Sequence, residues 1–129
     1  MTPLKPKKIL VIDDDMFLLA SIKSFIRGAG YAVETATRGD DALSLIKQEL
    51  PDLIILDAIM PEMNGFEVAR QIRAIDNTSK IPIIMLTGLR TEADKENAKA
   101  SGITEFINKP IKPEELLRRV QFHLRPKFF

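Results

Sequence analysis

Four groups of chemically capable residues stand at corresponding places in the chain. Asp13-Asp14-Asp15 follows the apolar run Ile9-Leu10-Val11-Ile12, and a lone Asp57 follows a second run, Leu53-Ile54-Ile55-Leu56. Thr87-Gly88 follows Ile83-Ile84-Met85-Leu86, and Asn108-Lys109-Pro110 follows a shorter apolar stretch over Ile103 to Ile107. If Asp13, Asp14 and Asp57 share a crevice, they repel one another. At about 5 Å and an effective dielectric of about 20, each pair costs roughly 3 kcal/mol. Three such pairs rival a domain's whole stability of about 5–15 kcal/mol, although water, Lys109 and proton uptake relieve part of this. Such a site calls for a divalent cation. Hard oxygen donors without cysteine favour Mg²⁺, or Mn²⁺ in its place, over zinc. A carboxylate beside a metal, a lysine and a hydroxyl suits phosphoryl transfer onto that carboxylate. Asp57, alone on its strand, is the candidate nucleophile. Asp13 and Asp14 are the candidate metal holders, and Gly88 leaves room for a phosphoryl group to reach Thr87.

Taken singly, each group has a plainer reading. An acidic triplet suits a helix start, Asp57 suits a turn, Thr87 a strand end, and Lys109 a solvated surface. The conjunction carries the chemical reading, because chance rarely places four matching groups at equivalent strand ends.

Those ends must be brought together by the elements around them. Ile9 to Ile12 and Leu53 to Leu56 are apolar on both faces, as buried parallel strands are. Tyr31 to Ala36, Ile81 to Leu86 and Ile103 to Ile107 are further strands. Pro82 is expected near its strand's start, where a missing donor is tolerated. Helical spacing places Phe17, Leu18, Ser21, Ile22, Phe25, Ile26 and Ala29 on one helix, stopped by Gly28 and Gly30. Ala42, Leu43, Ile46 and Leu50 mark a second helix that ends at Pro51. Asn64-Gly65-Phe66-Glu67 opens a third with a capping pattern. Thr91-Glu92-Ala93-Asp94 opens a fourth, ended by Gly102. Pro113 begins the last, with Leu116, Leu117, Val120 and Leu124 facing inward. Five strand–helix units predict an α/β fold. It is a doubly wound, flavodoxin-like, five-stranded parallel sheet of order 2-1-3-4-5, with helices on both faces and a crevice between strands 1 and 3.

Composition supports this and excludes other classes. The 129 residues predict a single domain over 1–129, with a core of about 7–125. A net charge of +1 argues against a polybasic nucleic-acid binder or an acidic tail protein. Hydrophobic residues at 45% and charged residues at 29% describe a globular chain. No cysteine is present, and His123 is the only histidine, which removes thiol chemistry and a zinc cage. No apolar run approaches the about 20 residues a membrane span needs. The expectation is a soluble, cytoplasmic protein that binds neither membrane nor, directly, nucleic acid.

The ordered motifs Ile9-Leu10-Val11-Ile12-Asp13-Asp14-Asp15, Leu56-Asp57-Ala58-Ile59-Met60-Pro61-Glu62-Met63-Asn64-Gly65, Met85-Leu86-Thr87-Gly88 and Asn108-Lys109-Pro110 resemble the receiver domain of two-component response regulators, of the chemotaxis-regulator kind. The resemblance covers about residues 7 to 125. It implies a signalling protein of a phosphorelay, not an enzyme with an external substrate, that catalyses its own phosphorylation. Asp57 would accept the phosphoryl group. Mg²⁺ would be held directly by Asp14, Asp57 and the backbone carbonyl of Ile59, with Asp13 acting mainly through water. Lys109 would pair with the phosphoryl group and Thr87 would bond it. The donor would be a phosphohistidine on a sensor histidine kinase or histidine phosphotransfer protein. A cis Lys109–Pro110 bond is also implied.

In that family the threonine's movement is coupled to an aromatic residue on strand 5. Here it is Phe106, which lacks a hydroxyl, so any switch rests on ring packing. The two positions that modulate phosphoryl lifetime are Ile59 and Leu89. Both are apolar and unable to orient an attacking water, which predicts a long-lived phosphoryl group with slow autodephosphorylation. Between Leu89 and Ile103 there is no Leu, Ile, Val, Phe or Met. The fourth helix should therefore shift at low cost, making helix 4, strand 5 and helix 5 the face that controls a partner, a fused output domain or a second copy.

Helix 1 opens with Met16-Phe17-Leu18-Leu19, more apolar than one buried stripe needs. The excess suits either a phosphodonor helix or extra core packing. Arg118, Arg119, Arg125 and Lys127 read as a solvated basic face, and His123 as a surface helix residue. Two other functions compete. Asp13-Asp14-Asp15 also fits the Asp-x-Asp motif of haloacid-dehalogenase-type phosphatases, but no later acidic pair closes that family's metal site. A phosphorylation-independent binding module would retain the fold without needing the whole acid, Thr and Lys set. The chain suits either a stand-alone regulator or a piece of a longer one.

Overall fold

The computed structural model describes residues 5–61, 64–88 and 91–126. Strands and helices alternate along the chain: β1 (Lys8–Ile12), α1 (Met16–Gly28), β2 (Ala32–Ala36), α2 (Gly39–Gln48) and β3 (Leu53–Asp57). They continue with α3 (Gly65–Arg73), β4 (Ile83–Thr87), α4 (Glu92–Ala100), β5 (Glu105–Asn108) and α5 (Pro113–Leu124). All strand pairs are parallel, and the order is β2-β1-β3-β4-β5. The expected doubly wound sheet is therefore present, with its order reversing between β1 and β3.

The strand alternation divides the core in two. Ile9, Val11, Leu53, Ile55, Ile84 and Leu86 point to α1 and α5, where Leu19, Ile22, Ile26, Leu116 and Val120 meet them. Leu10, Ile12, Ile54, Leu56, Ile83 and Met85 point the other way, to Ala42 and Ile46 of α2, Phe66, Ala69 and Ile72 of α3, and Ala98 of α4. Each fully buried Leu or Ile contributes about 1.5–3 kcal/mol. β3 and β4 are buried along their whole length, so they fix the strand ends rigidly.

Several boundaries differ from the sequence expectation. β4 starts at Ile83, because Pro82 cannot donate to the ladder, although its carbonyl still accepts from Ile54 N at 2.9 Å. β5 starts at Glu105. Gly102 turns the chain at φ +88°, and Ile103 N bonds back to Ala98 O at 3.0 Å. On α1 the buried stripe runs through Leu19, Ile22 and Ile26, whereas Phe17 is 89% exposed. His123 does not lie free on the surface. Its Nε2 is 2.6 Å from Glu105 Oε1, and the same carboxylate accepts from Arg119 Nε at 2.9 and 3.0 Å, tying α5 to β5. No described helix is long and apolar enough to cross a membrane.

Candidate functional site

The parallel register lines up the strand ends. Ile12 pairs with Leu56, so Asp13 leaves β1 level with Asp57 on β3. Asp57 pairs with Leu86, which puts Thr87 one step further along β4. Thr87 pairs with Asn108, and Lys109 follows at once. The four groups singled out by sequence therefore meet at one edge of the sheet.

Carboxylate oxygens of Asp13, Asp14 and Asp57 all lie within 4.8 Å of one another. Asp13 and Asp57 are buried while Asp14 is exposed, so the cluster opens to solvent on one side. Lys109 Nζ stands 3.5 Å from both Asp13 Oδ2 and Asp57 Oδ1. It offsets much of the repulsion that the sequence reading assigns to the acidic cluster. Burial, and then the neighbouring Asp57 charge, push the Asp13 carboxyl above its ordinary range, against the pull of Asp15 N and Lys109. Three hard oxygens converging without nitrogen or sulfur fit Mg²⁺ or Mn²⁺.

Local structure holds each part. Asp15 caps α1, its side chain accepting from Phe17 N and Leu18 N, and Asp15 N donates to Asp13 Oδ1 at 2.9 Å. Asp15 thus acts as a cap, whereas Asp13 and Asp14 face the crevice. Ile59 N lies 3.4 Å from Asp57 Oδ1, a long bond that restrains the loop beyond β3. Thr87 is 1% exposed at the end of β4. Lys109 N donates to Thr87 O at 2.7 Å, and the Lys109–Pro110 bond is cis. Phe106 is half-buried and packs against the core shared by α2, α3 and α4. Beside it, α4 and β5 enclose a shallow groove lined by Lys95, Ala98, Lys99, Ile103, Thr104 and Phe106. Leu89 lies outside the described residues.

In the sequence, Gly65 is legible only as part of a helix start. A Cβ there would sit 2.2 Å from the backbone oxygen of Asp57, and Gly65 N donates to Ala58 O at 2.7 Å. The absence of a side chain at Gly65 therefore lets α3 begin directly against the strand end that carries Asp57. An Asn-Gly pair before a helical pattern signals the cap, but not this approach.

The family profile described as "Response regulator receiver domain" matches residues 9–121. The chain belongs to the response regulator receiver domain family. An uncharacterized 14.6 kDa protein of Leptolyngbya boryana is 37% identical over 121 residues, spanning 94% of this chain and 92% of that protein. The DNA-binding response regulator MtrA of Mycobacterium tuberculosis is 39% identical over 119 residues, 92% of this chain and 51% of MtrA. The receiver domain spans about half the length of most of the curated relatives it matches, several of which are named as transcriptional regulators. Among solved structures, the chemotaxis protein CheY4 of Vibrio cholerae superposes with a TM-score of 0.89 at 36% identity. The match covers 93% of this chain and all of CheY4. Receiver domains are signalling modules of two-component systems, and phosphorylation and Mg²⁺ are general to the family.

Proposed function

We propose that this receiver domain is a phosphorylation-dependent switch in which Asp57 takes the phosphoryl group from a phosphohistidine. The observation that carries this reading is the convergence of three carboxylates within 4.8 Å, with Lys109 Nζ 3.5 Å from two of them. A carboxylate oxygen of Asp57 attacks phosphorus, the P–N bond to the donor imidazole breaks, and the imidazole leaves as it takes up a proton. The product is an acyl phosphate. Asp14, Asp57 and the Ile59 carbonyl would hold Mg²⁺ directly, with Asp13 acting through water. When bound, the ion supplies positive charge to phosphoryl oxygens. Lys109, already drawn to Asp57, would exchange carboxylate contact for the new phosphoryl oxygens. Thr87 would turn its hydroxyl toward them, and Phe106 would repack over the α4–β5 groove.

The surroundings of the site favour a protein donor. Met16 and Phe17, in the first turn of α1, and Ile59, on the loop after β3, are 73%, 89% and 60% exposed, and put apolar surface beside the acids. Of the two readings of the apolar start of α1, this exposure favours phosphodonor docking over core packing. Ile59 also offers no hydrogen bond to a hydrolytic water, so the acyl phosphate is long-lived. The output is the α4–β5–α5 face, read by a partner, an output domain or a second copy. Acidic Glu92, Asp94 and Glu96 on α4, with basic Arg118 on α5 and Arg125 just beyond its end, suit pairing of two such faces.

The test is transfer from a phosphorylated histidine phosphotransfer protein, followed by intact mass. The expected result is one added phosphoryl group with Mg²⁺, none in excess chelator, and none on Asp57→Asn. Labelling that survives Asp57→Asn but is lost in Asp13→Asn would support the phosphatase reading instead.

A further inference from the structure

Among the described residues, the side-chain bonds that tie α4 to neighbouring elements gather at its C-terminal end. Its N-terminal turn is closed by bonds within itself: Thr91 Oγ1 donates to Asp94 Oδ2 at 2.6 Å, Asp94 N donates to Thr91 Oγ1 at 3.1 Å, and Thr91 N donates to Asp94 Oδ2 at 3.2 Å. Such a turn rests on a few local bonds, so it opens and recloses as the helix end shifts at low cost. Glu92, Ala93, Lys95, Glu96 and Asn97 are all exposed, and Ala98 is the sole buried residue of the helix. Gly88, which joins β4 to the segment before α4, would meet nothing within 4 Å if it carried a Cβ.

The C-terminal end is different. Arg70 of α3, steadied by Glu67 at 2.7 Å, donates Nη1 to Ser101 Oγ at 3.0 Å. Ser101 is buried, and its hydroxyl donates to Asn97 O at 2.7 Å. Arg73 donates to Gly102 O from both Nε, at 3.0 Å, and Nη2, at 2.8 Å, and Nη2 reaches Thr104 Oγ1 at 3.4 Å. Its other arm is held by the carbonyl of Thr78, a residue with no exposed surface whose hydroxyl donates into the end of α3. Thr104 is fixed in turn to β4, its Oγ1 accepting from Ile83 N at 2.9 Å and its N donating to Ile83 O at 2.9 Å. Gly102 has a positive φ and lies so near Arg73 that a Cβ would stand 2.7 Å from Cγ. The contact is between two closely fitted surfaces, with one planar cation bridging three acceptors.

We propose that Arg70 and Arg73 form a fulcrum, so that activation at Asp57 swings the N-terminal half of α4 about a stationary C-terminal end. Arg73 is then a positioning residue for the output face, although it lies away from the acceptor. The inference rests on the switch reading above. It deepens that reading by placing the moving surface at residues 92–96, and a partner that distinguishes the two states must touch that half of the helix.

Amide hydrogen exchange, read by NMR on the full chain with Mg²⁺, tests this with and without beryllofluoride as the phosphoryl mimic. The bound fluoride signal reports occupancy separately. On activation, exchange at residues 92–96 is expected to change by about tenfold or more, while residues 101–104 change by less than about twofold. Arg73→Lys keeps the charge but loses the fork. It is expected to retain the bound fluoride signal and the phosphorylation rate of Asp57, while the contrast between the two ends of α4 disappears. With the fluoride bound, equal changes at both ends of the native helix would overturn the fulcrum alone, as would an undiminished contrast in Arg73→Lys. Failure of beryllofluoride to bind at all would overturn the switch reading, and the fulcrum with it.

Discussion

Replacing Asp13 by Asn should stabilise the metal-free protein while weakening its hold on Mg²⁺. Asp13 is 3% exposed and faces two other carboxylates, whose nearest oxygens lie within 4.8 Å. At an effective dielectric of about 20, each repulsion at that distance is about 3.5 kcal/mol, and attraction to Lys109 at 3.5 Å returns about 4.7 kcal/mol. Solvent screening of the exposed Asp14 reduces its share, which leaves a net penalty of about 1–2 kcal/mol on the Asp13 charge. Asn removes that charge and keeps an oxygen to accept from Asp15 N at 2.9 Å. The expected gain in chelator at neutral pH is therefore about 1–2 kcal/mol, or about 3–7 °C in Tm for a chain of this size. The pH dependence has a definite sign. The folded carboxyl titrates above its ordinary value. The penalty is therefore absent below the unfolded pKa, grows as pH rises through the folded one, and is complete above it. The advantage of Asp13→Asn should shrink to nothing in acid, and saturating Mg²⁺ should reduce it by stabilising the native protein. Thermal melts of both proteins at several pH values, with chelator and with Mg²⁺, measure this. A lower Tm for Asp13→Asn at neutral pH in chelator, or an equal gain at every pH, would refute the reasoning.

Three further outcomes follow from the geometry. Gly65→Ala drives a methyl into the backbone of Asp57, so urea unfolding should show a loss of about 1–3 kcal/mol. Its Mg²⁺ affinity should fall as well, because the end of β3 must shift. Ile59→Asn supplies a group that can orient water. A transition-state hydrogen bond worth about 1.4 kcal/mol would shorten the acyl phosphate's lifetime about tenfold, as timed by loss of the phosphorylated mass. Glu105→Gln removes the carboxylate shared by Arg119 and His123, and should cost about 1–2 kcal/mol in urea unfolding without altering Mg²⁺ binding.

The strand ends were legible because burial on both faces leaves a local mark. Apolar runs such as Ile9 to Ile12 and Leu53 to Leu56 can hardly be anything else, and the polar residue that stops each run marks the sheet edge. Parallel pairing then brings Asp13, Asp57, Thr87 and Lys109 together without further information. The phase of α1 was not legible, because Met16-Phe17-Leu18-Leu19 is apolar on every side and spacing alone cannot choose Leu19 over Phe17 for the core. The start of β5 was obscured by the Gly102 turn and the return bond from Ile103. The Arg73 bracket and the Glu105–Arg119–His123 cluster join residues distant in sequence, and the close approach at Gly65 depends on how the loop after β3 folds back. No local periodicity records such contacts, and arginine, histidine and glycine have ordinary surface or turn readings in isolation.

The central claim is that one carboxylate among three carries the phosphoryl group. After transfer from a phosphohistidine donor in Mg²⁺, borohydride reduction of the acyl phosphate and peptide sequencing by mass spectrometry locate the modified residue. The account predicts homoserine at position 57 alone, and none when Mg²⁺ is withheld. Modification at Asp13 or Asp14, or equal modification without divalent metal, would contradict it.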